Sequence, residues 1–336
     1  MILPSLLLLV SLALVGADAP YTVRMLALPV EGTSPISMDY IAFDPATRFV
    51  WVPAGNTGTV IVIDTAGGPI KQIPGFPTAE MGTGEHKRVV GPSSVTAGAG
   101  SVYVGNRADS TVCAFDARTL ARGSCRHLDS MPDGLAYVAT TKEVWVTTPR
   151  DRSLVVLDAV TTAVKAKLTF DGDPEGFAVD ARRGRFHTNL EDKDRTLAID
   201  LETHKTVATW EPKCGEGGPH GLRVDSETGH LFVACSARAE VLDAAHDGAI
   251  LSSIETGDGV DDLDYAQATH LLYVAAAKAG TLTIARDDSK GKLSLVGTVA
   301  TVVGARNPAV TDKGVVYLAH SASSGLRDLV VATPPP

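Results

Sequence analysis

The sequence predicts an all-β fold: a seven-bladed β-propeller of four-stranded blades, whose last blade is closed by the N-terminal strand. Three observations favour this fold: a phrase that recurs along the chain, a hydrophobic period of two inside each copy, and a strand-like segment without a blade of its own at the N-terminus. The clearest copies of the phrase are MPDGLAYVATTKEVWVTT from Met131, DPEGFAVDARRGRFHTN from Asp173, GPHGLRVDSETGHLFVAC from Gly218 and VDDLDYAQATHLLYVAA from Val260.

The phrase occurs seven times when it is counted at the residue after the Pro-like position. We call these residues the marker residues: Asp39, Ser93, Asp133, Glu175, His220, Asp261 and Asn307. They are 40 to 46 residues apart, except for a first interval of 54 residues. Repeats of this length with four short strands are typical of propeller blades, whereas helical repeats would show a period of 3.6.

Each unit contains four strand-like runs bounded by turn residues. Alternation such as VWVP from Val50 and VYVG from Val102 indicates half-buried strands. The third run commonly ends in an aspartate, which suits a tight turn because the carboxylate accepts bonds from the backbone amides that follow. These aspartates are Asp64, Asp116, Asp158, Asp200 and Asp243.

The two chain ends are predicted to share one blade. The last unit, from Asn307, lacks a fourth strand, and the run from Tyr21 to Pro29 resembles an outer strand without a blade. Pairing between them closes the ring and removes two exposed edges. The long first interval reflects an insertion over residues 74–91, which is either a lid over the channel or an ordinary mobile loop.

The domain prediction has three parts. Residues 1–17 form a secretory signal peptide, with Ala19 as the alternative end, because an apolar run too short for a comfortable span ends in small residues. Residues 20–333 form a single propeller, and residues 334–336 are a Pro-rich tail. The mature protein is therefore expected to be periplasmic or secreted, monomeric and without a membrane span.

Four cysteines in an exported chain favour disulfides over buried thiols. The repeat register places Cys113 and Cys125 on neighbouring strands of one hairpin, and Cys214 and Cys235 on one face of the ring. We predict the pairs Cys113 with Cys125 and Cys214 with Cys235; four buried thiols are the alternative.

The charge of the chain excludes one class of partner. A formal net charge of −9 and a sequence pI of about 5.5 give no counterion-release drive for binding nucleic acid. The expected partner is a small-molecule or protein ligand.

The marker residues are the candidate binding site, because links into the inner strands open at the channel mouth together with the loops between second and third strands. Arg107 and Arg150 from those loops suit a carboxylate or phosphate, although Arg150, Asp151 and Arg152 could instead pair with one another. Of the histidines, only His220, His320 and His86 can reach this face. The markers themselves could be structural, could act in acid–base chemistry, or could hold a divalent cation (Ca, Mg, Mn or Zn), with Glu175, His220, Asp133 and Asp261 as tentative ligands.

The units from Pro132 and Pro174 resemble the YVTN, or YncE-like, repeat family of bacterial β-propellers, through P-x-G-[LF]-A-[VY], a [VL]-[WFY]-V strand and [ST]-L-x-[VI]-[LI]-D. The resemblance spans roughly residues 37–331 and implies an exported, seven-bladed binding protein. More distantly, the pair Glu175-Gly176 resembles the metal-binding glutamate motif of gluconolactonase-like propellers. No catalytic residue is assigned. The first functional hypothesis is therefore a protein that binds a ligand or partner at the channel mouth, and the second is a metal-dependent lactonase or related hydrolase at the same place.

Overall fold

Seven four-stranded antiparallel sheets form the blades of a propeller in the computed structural model, which describes residues 21–84 and 87–336. The predicted fold class is therefore confirmed. In chain order the strands are β1 (Thr22–Leu26); β2 (Ala42–Asp44), β3 (Phe49–Ala54), β4 (Thr59–Asp64) and β5 (Lys71–Ile73) of blade 1; β6 (Ala79–Met81) and β7 (Arg88–Val90) of the insertion; β8 (Pro92–Gly98), β9 (Ser101–Asn106), β10 (Thr111–Asp116) and β11 (Arg122–His127) of blade 2; β12 (Leu135–Val138), β13 (Glu143–Thr148), β14 (Ser153–Asp158) and β15 (Val164–Thr169) of blade 3; β16 (Pro174–Asp180), β17 (Arg185–Leu190), β18 (Arg195–Asp200) and β19 (Thr206–Trp210) of blade 4; β20 (Pro219–Val224), β21 (His230–Cys235), β22 (Arg238–Asp243) and β23 (Ala249–Glu255) of blade 5; β24 (Val260–Ala266), β25 (Leu271–Ala276), β26 (Thr281–Asp287) and β27 (Leu293–Ala300) of blade 6; and β28 (Ala305–Val310), β29 (Val316–His320) and β30 (Leu329–Thr333) of blade 7.

Short 3-10 turns follow the second strand in four blades of the described chain. They span Gly55–Thr57, Pro149–Asp151, Glu191–Lys193 and Ala322–Ser324. These turns lie in the loops between second and third strands, which open at the channel mouth.

The N-terminal strand closes the ring as the sequence predicts. β1 pairs antiparallel with β30 as the outer strand of blade 7, from Thr22 opposite Thr333 to Leu26 opposite Leu329. The inner strand of blade 7 in turn contacts that of blade 1. The sheet order therefore brings both ends of the described chain into one blade.

The core lies between the blades and is supplied by their second and third strands. In blade 3 every residue of β13 is buried, whereas the outer strand β15 alternates between exposed and half-buried positions. Trp145 of that blade stacks on Phe186 of the next, with ring centroids 4.6 Å apart. Alternating aromatic and β-branched residues therefore form strands because both faces of the middle strands pack on neighbouring blades.

The aspartates at the ends of the third strands accept backbone bonds in the following turns, as predicted. Asp158, for example, accepts from the amides of Val160 at 3.1 Å and Thr161 at 2.8 Å. Asp64, Asp116, Asp200 and Asp243 make equivalent bonds. These carboxylates stabilise hairpins on the face opposite the mouth.

Both predicted disulfides are present. Cys113 and Cys125 are direct cross-strand partners on β10 and β11, and Cys214 is bonded to Cys235 at the end of β21. Neither pair leaves a free cysteine. Two disulfides indicate an oxidising compartment outside the cytoplasm.

The insertion forms an additional hairpin of β6 and β7 beside the mouth. Its start and end pack on blade 1, where Gly91 lies against the carbonyl of Gly55. Glu85 and His86 are outside the described residues, so the prediction for His86 is not addressed. The predicted signal peptide also lies outside them, and the described part of the chain contains no helix long and apolar enough to cross a membrane.

Candidate functional site at the channel mouth

Five of the seven marker residues sit in β-bulges at the start of the inner strands, and Asp39 and Asp133 lie shortly before theirs. The register of the inner strand shifts at this point in blades 2, 4, 5, 6 and 7. A bulge inserts an extra residue and re-aims a side chain. The repeated irregularity therefore turns the marker side chains toward the mouth of the channel.

Tight contact between neighbouring inner strands explains the glycine that follows the marker in three units. A Cβ atom at Gly176 would overlap the carbonyl of His220, and one at Gly221 would overlap Asp262. At Gly134 it would overlap the ring of Phe177. The absence of a side chain at these positions allows the blades to approach closely around the axis.

Two arginines connect three of the marker residues in one ion-pair network. The Arg107 guanidinium donates to Asp39 at 2.7 Å and also to Asp133. Arg306 donates to Asp261 at 2.6 Å and lies 3.3 Å from Asp39. Asn307 completes the group, because its side-chain amide donates to Asp39 at 2.8 Å.

Asp39 is the centre of this network. Burial opposes its ionisation, but the positive charges of Arg107 and Arg306 outweigh burial and lower the pKa of the carboxyl below its usual value. Asp39 is therefore ionised at neutral pH. It accepts bonds from side chains of blades 2 and 7, which ties three blades together at the axis.

A second cluster joins Glu175, Glu191 and His220 across blades 4 and 5. Burial and the neighbouring charge of Glu191 raise the pKa of Glu175 well above its usual value, so this carboxyl keeps its proton to a higher pH than an ordinary glutamate and shares a hydrogen bond with Glu191. Glu191 Oε1 lies 3.2 Å from Nδ1 of His220, at ion-pair distance although without the angle of a hydrogen bond. Burial disfavours a charged imidazole, but Glu191 more than compensates and raises the pKa of His220.

A cavity at the mouth lies between blades 5, 6 and 7 and has a volume of about 520 Å³. The charged or titratable groups of its wall are His220, Asp258, Asp261, Lys278 and Arg306, and three hydroxyls come from the loop that contains Ser321, Ser323 and Ser324. Nε of Arg306 is buried without a hydrogen-bond partner in the described structure. The cavity therefore offers several donors to one ligand.

A smaller cavity of about 30 Å³ lies beside the insertion. Asp39, Ser93, Arg107 and Arg88 line it, and the volume suits one or two waters. Ser93 thus faces the same network as Asp39, but its hydroxyl has no partner among the described residues.

Aromatic side chains narrow the channel one or two residues beyond the marker residues along the inner strands. The rings of Tyr40 and Phe177 lie with their centroids 5.6 Å apart. Beside them the buried Arg223 lies 3.1 Å from Asp262 and 3.0 Å from Asp264. Burial raises the pKa of Asp262 to about 7 against the opposing charge of Arg223. A ligand at the mouth would therefore rest above a filled channel.

Several residues singled out in the sequence lie away from these clusters. Arg150 is exposed in the turn after β13. The suggestion that Arg150, Asp151 and Arg152 pair with one another is wrong, because Arg152 lies 3.0 Å from Asp173 and Asp151 lies 2.8 Å from Lys167. His320 is fully buried, with Nε2 3.1 Å from the carbonyl oxygen of Asp328.

The four tentative metal ligands are divided between the two clusters. Asp133 and Asp261 pair with arginines, while Glu175 and His220 both meet Glu191. Within residues 21–84 and 87–336, no three His, Cys, Asp or Glu side chains form a group that could hold a metal ion. The arrangement as it stands therefore does not fit a divalent cation, and the metal site stays a prediction.

Sequence reasoning missed Arg306 and did not single out Glu191 within its charged loop. Arg306 directly precedes Asn307 and occupies the position that is proline in the clearest repeats. This departure from the repeat pattern is the signal that could have identified Arg306. Glu191 directly follows the second strand of blade 4, just as Arg107 directly follows that of blade 2. Both loop residues contact markers, which confirms that these loops and the inner-strand links open on one face.

Comparisons with known proteins extend the description of the fold. No protein-family model and no curated sequence matches the chain significantly. Among solved structures, a streptogramin B lyase is similar with a TM-score of 0.73 and 12% identity, covering 95% of this chain and 99% of that one. Virginiamycin B lyase from Staphylococcus aureus is similar with a TM-score of 0.70 and 13% identity, over 94% and 100% of the chains. A chain of a mitotic checkpoint complex has a TM-score of 0.73 and 12% identity, over 100% and 99%. At such identities the likeness is one of fold.

Proposed function

We propose that this chain is an exported propeller that binds a small ligand carrying a carboxylate or phosphate group at the channel mouth. The observation that carries the proposal is the cavity of about 520 Å³ bordered by His220, Lys278 and Arg306. Concave sites with a few convergent polar groups are the usual form of ligand sites. The YVTN resemblance and the two disulfides support an exported binding role.

The charges around the cavity favour an anionic group on the ligand. His220 has a raised pKa, and the buried Nε of Arg306 is available as a donor. Lys278 is exposed and pairs at 3.5 Å with Asp258 of the same wall, which is also exposed, so water screens this contact. Asp261 is already paired with Arg306, so the ligand meets a neutralised carboxylate rather than a free one.

Thermal unfolding in the presence of hydroxycarboxylates and sugar phosphates tests the proposal, because a ligand that binds only the folded state raises the melting temperature. We expect at least one compound to stabilise the wild type, and expect His220→Gln and Lys278→Gln each to weaken that effect. Lys290→Gln is the matched control, since Lys290 is exposed in a turn on the opposite face. Equal ligand effects in all four proteins would overturn the proposal.

The second candidate is a hydrolase that opens lactones at the same mouth. The specific observation is that neighbouring carboxyls have pKa values pushed apart, lowered at Glu191 by the contact with His220 and raised at Glu175 by burial. Such pairs allow one group to act as a base and another as an acid. The solved lyases of similar fold are compatible with chemistry on such a scaffold.

In this candidate Glu191 accepts a proton from the attacking water. The water oxygen bonds to the lactone carbonyl carbon, the ring acyl C–O bond breaks, and His220 gives its proton to the departing ring oxygen. Glu175 holds Glu191 in place. A divalent cation, if bound by Glu175, His220, Asp133 or Asp261 after rearrangement, would polarise the carbonyl.

Turnover of simple lactones such as γ-butyrolactone, measured by acid release, tests this candidate. Glu191→Gln should lower kcat/KM by about 100-fold or more, whereas Lys290→Gln should leave it unchanged. Elemental analysis tests its metal-dependent form. Protein without stoichiometric Ca, Mg, Mn or Zn, and with a melting temperature unaffected by added metal, would remove the basis for that form.

A further inference from the structure

His187 occupies a position that is aromatic in every other blade. The central residue of the second strand is buried in all seven blades, at Trp51, Tyr103, Trp145, His187, Phe232, Tyr273 and Tyr317. In six blades a large ring fills the space between neighbouring blades. In blade 4 that ring is an imidazole.

The imidazole of His187 has no hydrogen-bond partner among the described residues. The residue is 1% exposed, and neither ring nitrogen makes a bond of acceptable geometry within the described structure. The backbone of Leu197 is close enough to affect the ring, yet burial dominates and lowers the pKa of His187 to about 3. At neutral pH the ring is therefore uncharged and carries one unused donor and one unused acceptor.

Such a group is costly to bury without a partner. The other six blades have an aromatic ring at this position, so the unused donor and acceptor of His187 indicate that this side chain does more than fill space. A ligand in a nearby cavity would give these two groups a partner.

A cavity of about 500 Å³ is present beside His187, between blades 4 and 5 on the face opposite the mouth. The ring of Trp210 stacks on His187 with centroids 5.7 Å apart. Ala198 and Ala208 add small apolar side chains to the wall. The lining therefore combines an aromatic ring with small apolar side chains, a combination that suits a flat apolar molecule.

Two arginines, Arg183 and Arg185, contribute to the cavity wall, and Arg185 has the more unused donors. Arg185 donates through Nη1 only, to Asp200 at 2.5 Å and to the carbonyl of Gly184 at 2.9 Å. Its Nε and Nη2 make no hydrogen bond within the described structure. Asp247, the carboxylate in the cavity wall, is bonded by Nε1 of Trp210 at 3.3 Å.

We propose that this cavity is a second binding site, which takes a small carboxylate with a flat apolar body. The carboxylate meets Arg185 and a ring nitrogen of His187, and the body lies against Trp210 and the alanines. The site is independent of the channel mouth, because it is built from strands of blade 4 and from the turn of blade 5 that follows β22, and shares no residue with the cavity at the mouth.

Benzoate is the probe, with benzamide as a neutral molecule of the same shape. Isothermal titration should show benzoate binding to the wild type at least tenfold more tightly than benzamide. His187→Phe restores the aromatic ring of the other blades, so it should fold, keep or raise the melting temperature, and bind benzoate at least tenfold more weakly. Ala208→Leu narrows the cavity without altering His187 and should have the same effect on binding.

Arg185→Gln tests whether the positive charge of the site, rather than its shape, selects benzoate. We expect it to remove the preference for benzoate over benzamide while both still bind. Equal benzoate affinity in the wild type, His187→Phe and Ala208→Leu, or no benzoate binding to the wild type, would overturn the proposal. The channel-mouth ligand, measured in His187→Phe, should bind as in the wild type, so failure of one site does not imply failure of the other.

Discussion

The guanidinium of Arg107 lies 2.7 Å from the carboxylate of Asp39, which joins a loop of blade 2 to the inner strand of blade 1. The same guanidinium also contacts Asp133 of blade 3. One arginine therefore neutralises carboxylates from the blades on either side of its own. The side chains are only 19% (Arg107), 13% (Asp39) and 11% (Asp133) exposed, so water screens them weakly.

Arg107→Gln should lower the free energy of unfolding by about 3 kcal/mol, because it leaves two largely buried carboxylates without their shared cation. Arg150→Gln is the matched control. Arg150 lies in the equivalent loop of blade 3 but is exposed, and its loss should change stability by no more than about 0.5 kcal/mol. Urea unfolding of both variants measures the difference. If Arg107→Gln lowered the free energy of unfolding no more than Arg150→Gln, the ion pairs of Arg107 would contribute little to stability.

Gly176→Ala should destabilise the protein by about 2 kcal/mol or more, since the new methyl group would overlap a backbone carbonyl that cannot rotate away. Gly297 in the outer strand β27 offers a control with open space around its Cα and no left-handed backbone. Gly297→Ala is expected to be neutral or stabilising by up to about 1 kcal/mol. Thermal and urea unfolding distinguish the two. A neutral Gly176→Ala would show that the inner strands are not held at van der Waals contact.

The repeat predicted the ring, its closure and the disulfides because these follow from register alone. Once Thr22–Leu26 is recognised as an outer strand, pairing with Leu329–Thr333 is the way to complete blade 7. Likewise Cys113 and Cys125 lie opposite each other on any hairpin of that length. Backbone periodicity carries this information, and it is independent of side-chain conformation.

The partners within the site could not be read from the sequence, because they depend on how far long side chains reach between blades. Arg107 and Arg150 occupy corresponding loops, yet Arg107 turns inward to two carboxylates and Arg150 remains exposed. Arg306 pairs with Asp39, 267 residues earlier in the chain. No local pattern distinguishes these outcomes, which are decided by the bulges and by the spacing of neighbouring inner strands.

Each disulfide should contribute about 3 kcal/mol to stability, because the bridges close loops of 12 and 21 residues in the unfolded chain. The double variants Cys113→Ala/Cys125→Ala and Cys214→Ala/Cys235→Ala should each lose about this amount in urea unfolding. Thiol titration of the denatured wild type should find no free thiols before reduction and four after it. Four free thiols in protein purified without reductant would contradict the pairing.

Glu175→Gln should make the protein more stable than the wild type, by a margin that grows as the pH rises. The folded protein keeps a proton on Glu175, whose pKa is raised well above its usual value by burial and by Glu191, whereas the unfolded chain loses that proton near pH 4.5. The contribution of Glu175 to stability is therefore full below pH 4.5 and falls as the pH rises through the folded pKa. Glutamine cannot ionise, and its amide can still donate to Glu191.

The measurement is urea unfolding of both proteins at intervals from pH 5 to pH 9. Other groups also titrate in this range, Asp262 among them with a pKa of about 7, so the quantity of interest is the difference between variant and wild type at each pH. Glu202→Gln is a suitable control, because Glu202 is exposed in the turn after β18 and its substitution should give a difference that does not vary with pH. A constant difference for Glu175→Gln as well would show that Glu175 is ionised in the folded protein, and the hydrolase candidate, which depends on the separated pKa values of Glu175 and Glu191, would then have to be abandoned.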